Sequence, residues 1–333
     1  MQIFHQLADI PPNFGHTVAT IGNFDGVHRG HQLVIAEVVE RARSLGIKSL
    51  AITFEPHPAR VLRPDTVLPL ITPLTEKLAL LATTDIDAVI VLPFTKDFSH
   101  MSARAFAAEI LQKGLSVKEL HEGENFRFGH HAEGDVNSLE TLGRELGFNV
   151  SVYAPRSIRG QAISSSRIRQ LISEGDVSHV RALLGHPYAI AATPAPGRGY
   201  GTRYTVPTIN LAPYSELLPA NGVYITTMTI GEDACSETFD AVTNVGNRPT
   251  FGADSFTVES HLLNFHPVSL GEQTPLTLTF LKRLRDEKRW PNPEALREQI
   301  GRDVAASKRY FSLCRVVALK PRSGHPQPAS AAR

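Results

Sequence analysis

Two histidines three positions apart carry the strongest chemical signal in this chain of 333 residues. They end the segment Thr20-Ile-Gly-Asn-Phe-Asp-Gly-Val-His-Arg-Gly-His31, which lies between an apolar run and an amphipathic stretch. A strand, a glycine-bearing turn and a helix start leave backbone N–H groups free, and the helix dipole favours an anion there. Imidazoles can donate hydrogen bonds to phosphoryl oxygens near neutral pH. His28 and His31 are therefore predicted to assist nucleotidyl transfer, the alternative being a solvated or helix-capping pair.

Three further polar clusters follow predicted strands in the first half of the chain. His57 lies between two prolines, and the segment 123–129 places an amide, a guanidinium and two aromatic rings between glycines. The segment 163–169 combines serines with Arg167 and Arg169 at a helix start, which suits polyphosphate, although the serines can equally cap the helix. Because these arginines are two positions apart on a helix, at most one is expected at the serines' phosphate.

Composition restricts the class of protein. Lysine and arginine number 34 and aspartate and glutamate 33, so a net charge of +1 argues against a nucleic-acid-binding protein. Cys235 and Cys314 lie far apart, which predicts neither a disulfide framework nor a metal site and favours the cytoplasm. No apolar run approaches the ~20 residues of a membrane span, so no membrane association is expected.

The first half alternates strand-like and helix-like patterns, which predicts a parallel sheet with helices on its faces. Ligands of such sheets bind beyond the carboxyl ends of the strands, where His28 and His31 fall. Ser102 is predicted to start a helix, and Gly46, Gly114 and Gly147 to end helices. The predicted strands are 17–21, 49–54, 87–92, 117–121 and 149–153, and the helices are 31–45, 75–82, 103–113, 136–146, 167–173 and 177–184.

The residue pattern changes near residue 185, where short runs rich in β-branched and aromatic residues begin. They predict a compact antiparallel barrel that a helix from Glu294 to about Phe311 closes. The chain is therefore divided into domains at 1–185 and 186–315 and a disordered tail at 316–333. The predicted barrel strands are 188–192, 222–230, 239–245, 256–263 and 276–284.

The second half also offers groups for metal and acid–base chemistry. Thr208 and Asn210 project to one side of an extended chain, and their oxygens suit Mg²⁺ with ATP. Glu259 alternates with Val258 and so faces away from it. Taken alone, these residues also fit an ordinary turn and the wet face of a strand.

Together, the motifs resemble bacterial bifunctional riboflavin kinase/FAD synthetase over about residues 14–312. Several motifs in order are more specific than any one of them. In the first half they are Gly22-Asn-Phe-Asp-Gly-Val-His-Arg-Gly-His31, Glu55-Pro-His-Pro58, Gly123-Glu-Asn-Phe-Arg-Phe-Gly129 and Ile163-Ser-Ser-Ser-Arg-Ile-Arg169. In the second half they are Pro207-Thr-Ile-Asn210, Asn221-Gly-Val-Tyr224, Asn244-Val-Gly-Asn-Arg-Pro-Thr250 and Glu259.

The resemblance implies an α/β protein whose first domain is a Rossmann-like nucleotidylyltransferase that makes FAD from FMN and ATP. It implies that His28 and His31 stabilise the transferring phosphoryl group and that Asn125 lies near that group or the nucleotide. The departing phosphates are assigned to Ser164, Ser165 and Arg167. Substrate contacts are expected at Gly22, Asn23, Phe24, Asp25 and Gly30, and the flavin side is assigned to Pro56, His57, Pro58 and Phe128.

For the second domain, the resemblance implies a riboflavin-kinase-like barrel. Glu259 is expected to be the general base for the ribityl hydroxyl, and Thr208 and Asn210 to hold Mg²⁺ and ATP. The phosphate loop departs from the family pattern, since Ala192 and Thr205 replace glycines and Thr202 replaces an arginine. Flavin and phosphate contacts are expected at Gly197, Gly201, Arg203, Asn247 and Arg248.

The leading prediction is one enzyme that phosphorylates riboflavin to FMN and adenylylates FMN to FAD. Its partners are then riboflavin, FMN, FAD and ATP. The alternative within enzymes is FAD synthesis alone, with a barrel that binds flavin without phosphorylating it, and Thr202 and Thr205 favour that alternative. A flavin-responsive regulator on an inactive scaffold is a third hypothesis, which the intact paired histidines oppose.

Overall fold

The computed structural model describes residues 1–158, 160–195, 208–232, 236–247, 256–268 and 270–319. The chain forms two compact units. The first comprises Met1–Ile190 and Tyr214–Ala220, and the second comprises Ala191–Pro213 and Asn221–Arg333. The segment Tyr214–Ala220 thus packs with the first unit although its neighbours in the sequence belong to the second.

A parallel six-stranded sheet forms the first unit, in the order β1-β4-β3-β2-β5-β6. Chain order reverses between β2 and β5, which makes the carboxyl ends of these two strands the topological switch point where such sheets bind ligands. The strands are β1 Gln2–Phe4, β2 Thr17–Ile21, β3 Lys48–Glu55, β4 Ala88–Pro93, β5 Val117–Gly123 and β6 Asn149–Tyr153, and β7 Ser157–Ile158 pairs separately with β8 Gln161–Ala162.

Helices connect these strands and begin and end largely where the sequence predicts. The Ser102 side chain caps a helix, and Gly46 and Gly147 end theirs in the left-handed conformation. The predicted helix at 103–113 is α-helical for one turn and continues as a π-helix over Phe106–Gly114. The α-helices are α1 Arg29–Leu45, α2 Pro58–Leu62, α3 Leu74–Ala82, α4 Lys96–Ser99, α5 Ala103–Ala105, α6 Val136–Leu146, α7 Ser165–Ser173 and α8 Val177–Leu184.

Both faces of this sheet are buried, which explains why its strands read as continuous apolar runs. Every residue of β2 is buried. On β3, Leu50 and Ile52 join the apolar cluster that contains Phe106 and Leu139, whereas Ala51 joins the cluster that contains Ile35.

The second unit holds an antiparallel sheet in the order β10-β13-β12-β11-β14-β9, which confirms the predicted antiparallel β-structure. The sheet curls into a barrel, because one antiparallel bridge between Pro194 and Leu211 joins the chain after each edge strand. The strands are β9 Tyr188–Ala192, β10 Thr208–Asn210, β11 Gly222–Ile230, β12 Glu237–Asn247, β13 Phe256–Leu262 and β14 Leu276–Asp286.

The closing helix, α9 Pro293–Leu319, is longer than predicted. Phe311 packs with Val223, Ile225 and Val242 of the barrel. The prediction of disorder from residue 316 is wrong for 316–319, because the helix continues through the last residues the structure describes.

Candidate functional site

The loop Gly22–His28, which leads into α1 with His31 in its first turn, begins at the switch point of the parallel sheet. We call it the histidine loop. Strand β2 pairs with β5 from Thr17 as far as Ala19 and Leu120. Beyond that pair, the buried side chain of Glu122 takes the place of a backbone acceptor, since its Oε1 accepts a hydrogen bond of 2.6 Å from the Ile21 N–H. Burial holds the pKa of Glu122 well above its usual range. Sequence analysis gave this residue no role.

His28 and His31 lie against each other. Their rings stack with centroids 3.6 Å apart and planes 13° apart, and Phe24 meets the ring of His31 edge-on at 5.2 Å. His28 is the N-cap of α1, because its Nδ1 accepts a 3.2 Å hydrogen bond from the His31 N–H. A Cβ on Gly30 would lie 3.2 Å from the His28 ring. The capping interpretation is therefore correct for His28, and it leaves the other edge of the ring for a ligand.

Both imidazoles are neutral at neutral pH. Burial lowers the pKa of His28 to about 4, against an opposing effect of the Asp25 carboxylate. The pKa of His31 lies well below its usual range, first because of burial and then because a protonated His28 and the Lys77 ammonium would both repel a charge on this ring. The Nδ1 atom of His31 is buried and has no hydrogen-bond partner among the described residues. A buried ring nitrogen without a partner is the kind of group that a phosphoryl oxygen would satisfy.

Asp25, which is predicted to contact a substrate, is surrounded by hydrogen-bond donors of the protein itself. Its side chain is buried and accepts hydrogen bonds from the N–H groups of Ile71 and Thr72 and from Arg169, whose Nη2 lies 2.5 Å away. These hydrogen bonds join the loop to Arg169 of α7 and to the backbone at Ile71 and Thr72.

The serine cluster lies at the start of α7. Ser164 caps this helix, with its Oγ accepting from the N–H of Arg167 at 3.2 Å. The Ser165 hydroxyl donates to the Asp25 carbonyl oxygen at 2.9 Å and so ties α7 to the histidine loop. The Arg167 guanidinium is half-buried and contacts Gln161 at 3.4 Å. Since Arg169 pairs with Asp25, Arg167 is the arginine of this cluster that is left for a phosphate.

The segment around His57 forms a second capped turn, between β3 and α2. The ring of His57 is buried, and its Nδ1 accepts a 3.1 Å hydrogen bond from the N–H of Ala59. Pro56 precedes this cap, and Pro58 is the first residue of α2, where proline is favoured because no N–H is needed. Burial lowers the pKa of His57 to about 4, so this ring is also neutral.

Aromatic rings link the end of β3 to the loop after β5. Phe126 and Phe128 stack at 5.5 Å, and Phe128 lies 6.0 Å from Phe106 at the start of the π-helix. Phe106 in turn meets Phe98 at 6.2 Å, and Phe98 meets Phe54 at 6.0 Å. Asn125, in the same loop, is exposed at the carboxyl end of β5. An apolar wall beside an exposed amide suits a flat heteroaromatic ring with polar edges.

Lys77 is a buried cation that sequence analysis missed. It lies on α3 with 4% of its surface exposed, and its Nζ donates to the Asn23 carbonyl at 3.2 Å and to Thr53 Oγ1 at 3.3 Å. A lysine within a helical pattern ordinarily indicates a solvent-exposed face of the helix. The burial of Lys77 could therefore have been predicted only from the burial of its neighbours.

In the second unit, the predicted metal and base residues are brought together by strand pairing. Asn210 on β10 is the direct partner of Glu259 on β13, and Thr208 is the partner of His261. Glu259 is also paired with Asn244 on β12. The Oδ1 atom of Asn210 is buried with no hydrogen-bond partner among the described residues, so an amide oxygen is available for a cation or its ligand.

Two of the other predicted residues lie at strand ends of the second unit. Asn247 ends β12, and Ala192 ends β9. Outside the described residues lie Gly197, Gly201, Thr202, Arg203, Thr205 and Arg248. Within the described residues, no group of three or more histidine, cysteine, aspartate and glutamate side chains could hold a metal ion, so a cation would depend on oxygens of the Thr208 and Asn210 type together with ligand phosphates.

Two family models match the chain in succession, one described as FAD synthetase over residues 10–167 and one as riboflavin kinase over residues 184–311. The chain is 34% identical over 309 residues to the bifunctional riboflavin kinase/FMN adenylyltransferase of Pseudomonas fluorescens, covering 92% of this chain and 97% of that protein. It is 33% identical over 310 residues to the enzyme of the same name from Escherichia coli strain K12, covering 93% and 96%.

A crystal structure from Streptococcus pneumoniae, described as a macrolide-efflux protein, superposes with a TM-score of 0.80 at 25% identity. The superposition covers 92% of this chain and 98% of the Streptococcus pneumoniae chain. In the part of this chain that the structure describes, no helix has both the length and the apolar character needed to cross a bilayer.

Proposed function

Because this chain belongs to the family of bifunctional riboflavin kinase/FMN adenylyltransferases, we propose that its first unit adenylylates FMN and its second unit phosphorylates riboflavin. The observation that carries the first assignment is the pair of neutral, stacked imidazoles at the switch point of the parallel sheet. The observation that carries the second is the pairing of Asn210 with Glu259.

In the first unit, an oxygen of the FMN phosphate attacks the α-phosphorus of ATP. The new P–O bond forms as the bond from the α-phosphorus to the bridging oxygen breaks, and pyrophosphate leaves with that electron pair. His28 and His31 donate hydrogen bonds to the α-phosphoryl oxygens and need no protonation to do so. Neither histidine forms a covalent bond, so the unit acts by positioning and by stabilising charge.

The remaining first-unit residues divide between the nucleotide and the flavin. Ser164, Ser165 and Arg167 are proposed to bind the departing phosphates, and Asn125 to contact the transferring phosphoryl group or the nucleotide. The backbone of Gly22, Asn23, Phe24 and Gly30 is proposed to line the nucleotide side. Pro56, His57, Pro58 and Phe128 are proposed on the flavin side, where the aromatic wall supplies a stacking surface.

In the second unit, Glu259 is proposed to accept the proton of the riboflavin 5′-hydroxyl as that oxygen attacks the γ-phosphorus of ATP. The bond from the γ-phosphorus to the bridging oxygen breaks, and ADP leaves with that electron pair. Thr208 and Asn210 are proposed to hold Mg²⁺ with the ATP phosphates, and the buried, unpartnered Oδ1 of Asn210 supports this role. Bound Mg²⁺ would supply neutralisation of phosphate charge. The Asn247 region, with Arg248, is proposed to contact the flavin, and Gly197, Gly201 and Arg203 the phosphates.

The bifunctional assignment is preferred to FAD synthesis alone. The riboflavin kinase model spans residues 184–311, and the relatives that match over more than nine-tenths of the chain carry both activities in their names. The cytoplasm is proposed as the compartment because the two cysteines lie far apart in the sequence. The domain limits proposed for the two activities are 1–185 and 186–315.

The direct test is to incubate the purified chain with riboflavin, ATP and Mg²⁺ and to separate the flavins by chromatography over time. FMN that appears first and is then converted to FAD is the expected result. FAD formed from supplied FMN, with no product from riboflavin, would overturn the kinase assignment alone. No FAD from FMN would overturn the assignment of the first unit.

A further inference from the structure

Lys77 is a buried ammonium group at the base of the histidine loop. Its Nζ donates to the carbonyl oxygen of Asn23, which is the second residue of that loop, and to the hydroxyl of Thr53 on β3. Thr53 itself contacts the same carbonyl oxygen at 3.4 Å and is fully buried. One charged side chain of α3 therefore joins the ends of two neighbouring strands, β2 and β3.

No carboxylate of the described residues forms an ion pair with Lys77. Among the described residues its ammonium has two neutral acceptors, although it carries three N–H donors. Burial lowers its pKa, while the carboxylates of Glu55 and Asp25 act in the opposite direction. Asp25 is already paired with Arg169. Lys77 is thus a cation whose field extends into the surrounding site.

The two histidines cannot provide that field themselves. His28 and His31 are neutral at neutral pH because desolvation lowers the pKa of both rings, whereas the proposed substrates are a polyphosphate and a phosphomonoester. The charge of Lys77 also lowers the pKa of His31, and the Lys77 Nζ is hydrogen-bonded to the Asn23 carbonyl in the loop that leads to the two histidines. A fixed positive charge in the same site as neutral hydrogen-bond donors stabilises anionic phosphoryl oxygens without solvent reorganisation.

We propose that Lys77 is a positioning residue of the nucleotidyl transfer site, which holds the Gly22–His28 loop through the Asn23 carbonyl and supplies positive charge at that loop. This inference rests on the proposed adenylyltransferase function of the first unit. It concerns a residue on α3, outside all the motifs on which that function was assigned.

The test uses three variants of the full chain. Lys77→Met removes the charge in a side chain of similar length, Lys77→Arg keeps the charge, and Thr53→Val removes one hydrogen-bond acceptor while the charge stays. FMN adenylylation is measured for kcat and for the KM of FMN and ATP. Riboflavin phosphorylation by the same samples and near-ultraviolet circular dichroism serve as controls of folding.

Lys77→Met is expected to lower kcat for adenylylation on the order of 10²-fold, the range seen when one preorganised electrostatic group is removed, with riboflavin phosphorylation unchanged. Thr53→Val is expected to lose less than about tenfold, and Lys77→Arg to recover most of the loss. A folded Lys77→Met variant with wild-type kcat would overturn the inference. If Lys77→Met misfolds, the Lys77→Arg variant is the deciding test. Activity of Lys77→Arg within about tenfold of wild type would support the role of the charge. A folded but inactive Lys77→Arg variant would overturn that role.

The pH profile separates an electrostatic role from a purely structural one. Because the Lys77 cation disfavours protonation of His31 and His57, its removal raises the pKa of both rings, so the acidic limb of kcat/KM shifts to higher pH in Lys77→Met. An unshifted limb would overturn the electrostatic part of the proposal. Other groups that act on these rings are the same in all variants: His28 at His31, and Asp25, Arg169 and Arg60 at His57.

Failure of the proposed function is distinguishable from failure of this inference. A wild-type chain that forms no FAD from FMN and ATP would overturn both. A wild-type chain that is active, together with an equally active Lys77→Met variant, would overturn this inference alone.

Discussion

Asn210 and Glu259 are directly paired across the antiparallel strands β10 and β13. Side chains at such paired positions have Cβ atoms about 4.5–5.5 Å apart and project from the same face of a sheet. An amide oxygen that can coordinate a cation and a carboxylate that can accept a proton therefore lie on one face of the sheet. Transfer of a phosphoryl group to a hydroxyl uses both kinds of group.

Glu259→Gln is expected to lower kcat for riboflavin phosphorylation on the order of 10²–10⁴-fold, because the amide cannot accept the hydroxyl proton. FMN adenylylation should stay at the wild-type rate. Chromatography of the two reactions in separate assays measures both effects. Glu272→Gln, an exposed glutamate of the same unit, is the matched control and should alter neither rate. Equal loss of both reactions in a folded Glu259→Gln chain would contradict the division of labour.

Asn210→Ala is expected to raise the Mg²⁺ concentration for half-maximal riboflavin phosphorylation by about tenfold or more, since one hard oxygen ligand is lost. Titration of the kinase rate with Mg²⁺ gives this concentration. Adenylylation, measured in the same titration, should keep its wild-type Mg²⁺ dependence. An unchanged Mg²⁺ requirement for phosphorylation would remove Asn210 from the metal site.

Substitutions of His28 can separate capping from catalysis. Asparagine is among the best N-cap residues, so His28→Asn should retain the stability of α1, whereas His28→Ala should lose about 1 kcal/mol of unfolding free energy. Both variants should lose adenylylation by about 10²-fold or more, because neither offers the imidazole N–H. Urea unfolding and FAD formation are the two measurements. Wild-type activity in His28→Asn would mean that the ring acts as a cap alone.

Asp25→Asn tests the clamp between the histidine loop and α7. The carboxylate is buried against Arg169, so removal of its charge leaves a cation without its partner and should cost about 3–5 kcal/mol of unfolding free energy. The double variant Asp25→Asn with Arg169→Met should recover part of that loss. Glu298→Gln, which breaks an exposed pair with Arg302, should cost under about 1 kcal/mol. Equal costs for the buried and the exposed pair would refute the clamp.

Stability should fall with acid because of the buried neutral histidines. His28 and His57 have a folded pKa of about 4, below the value of about 6.5 expected in the unfolded chain, so the unfolded state binds more protons between these values. Their contribution is fully present above pH 6.5 and is lost as pH falls through about 4, by roughly 3 kcal/mol for each ring. Urea unfolding at a series of pH values measures the slope.

His57→Gln should flatten that pH dependence, whereas His16→Gln, at an exposed position, should leave it unchanged. If the two variants follow the same curve as wild type, the burial of His57 does not contribute to acid sensitivity.

The local features of this chain were predictable from its sequence. The strand 17–21, the helix 136–146 and the caps at Ser102 and Gly147 were placed correctly, because hydrophobic periodicity and capping act over a few neighbouring residues. The same holds for the stretch from His28 to His31, since a helix start is a local structure.

Long-range partnerships were decided by the tertiary structure. Asp25 pairs with a residue 144 positions away, and Glu122 fills a gap in the pairing of β2 with β5. Lys77 would be solvated on an isolated helix, and it is buried only because α3 packs on the sheet. Which chemical groups are present, and on which elements they lie, follows from the amino-acid sequence. Which of them face a ligand, which hold the loop and which are neutral was decided by the fold, because burial and pairing between distant strands set hydrogen bonding and pKa.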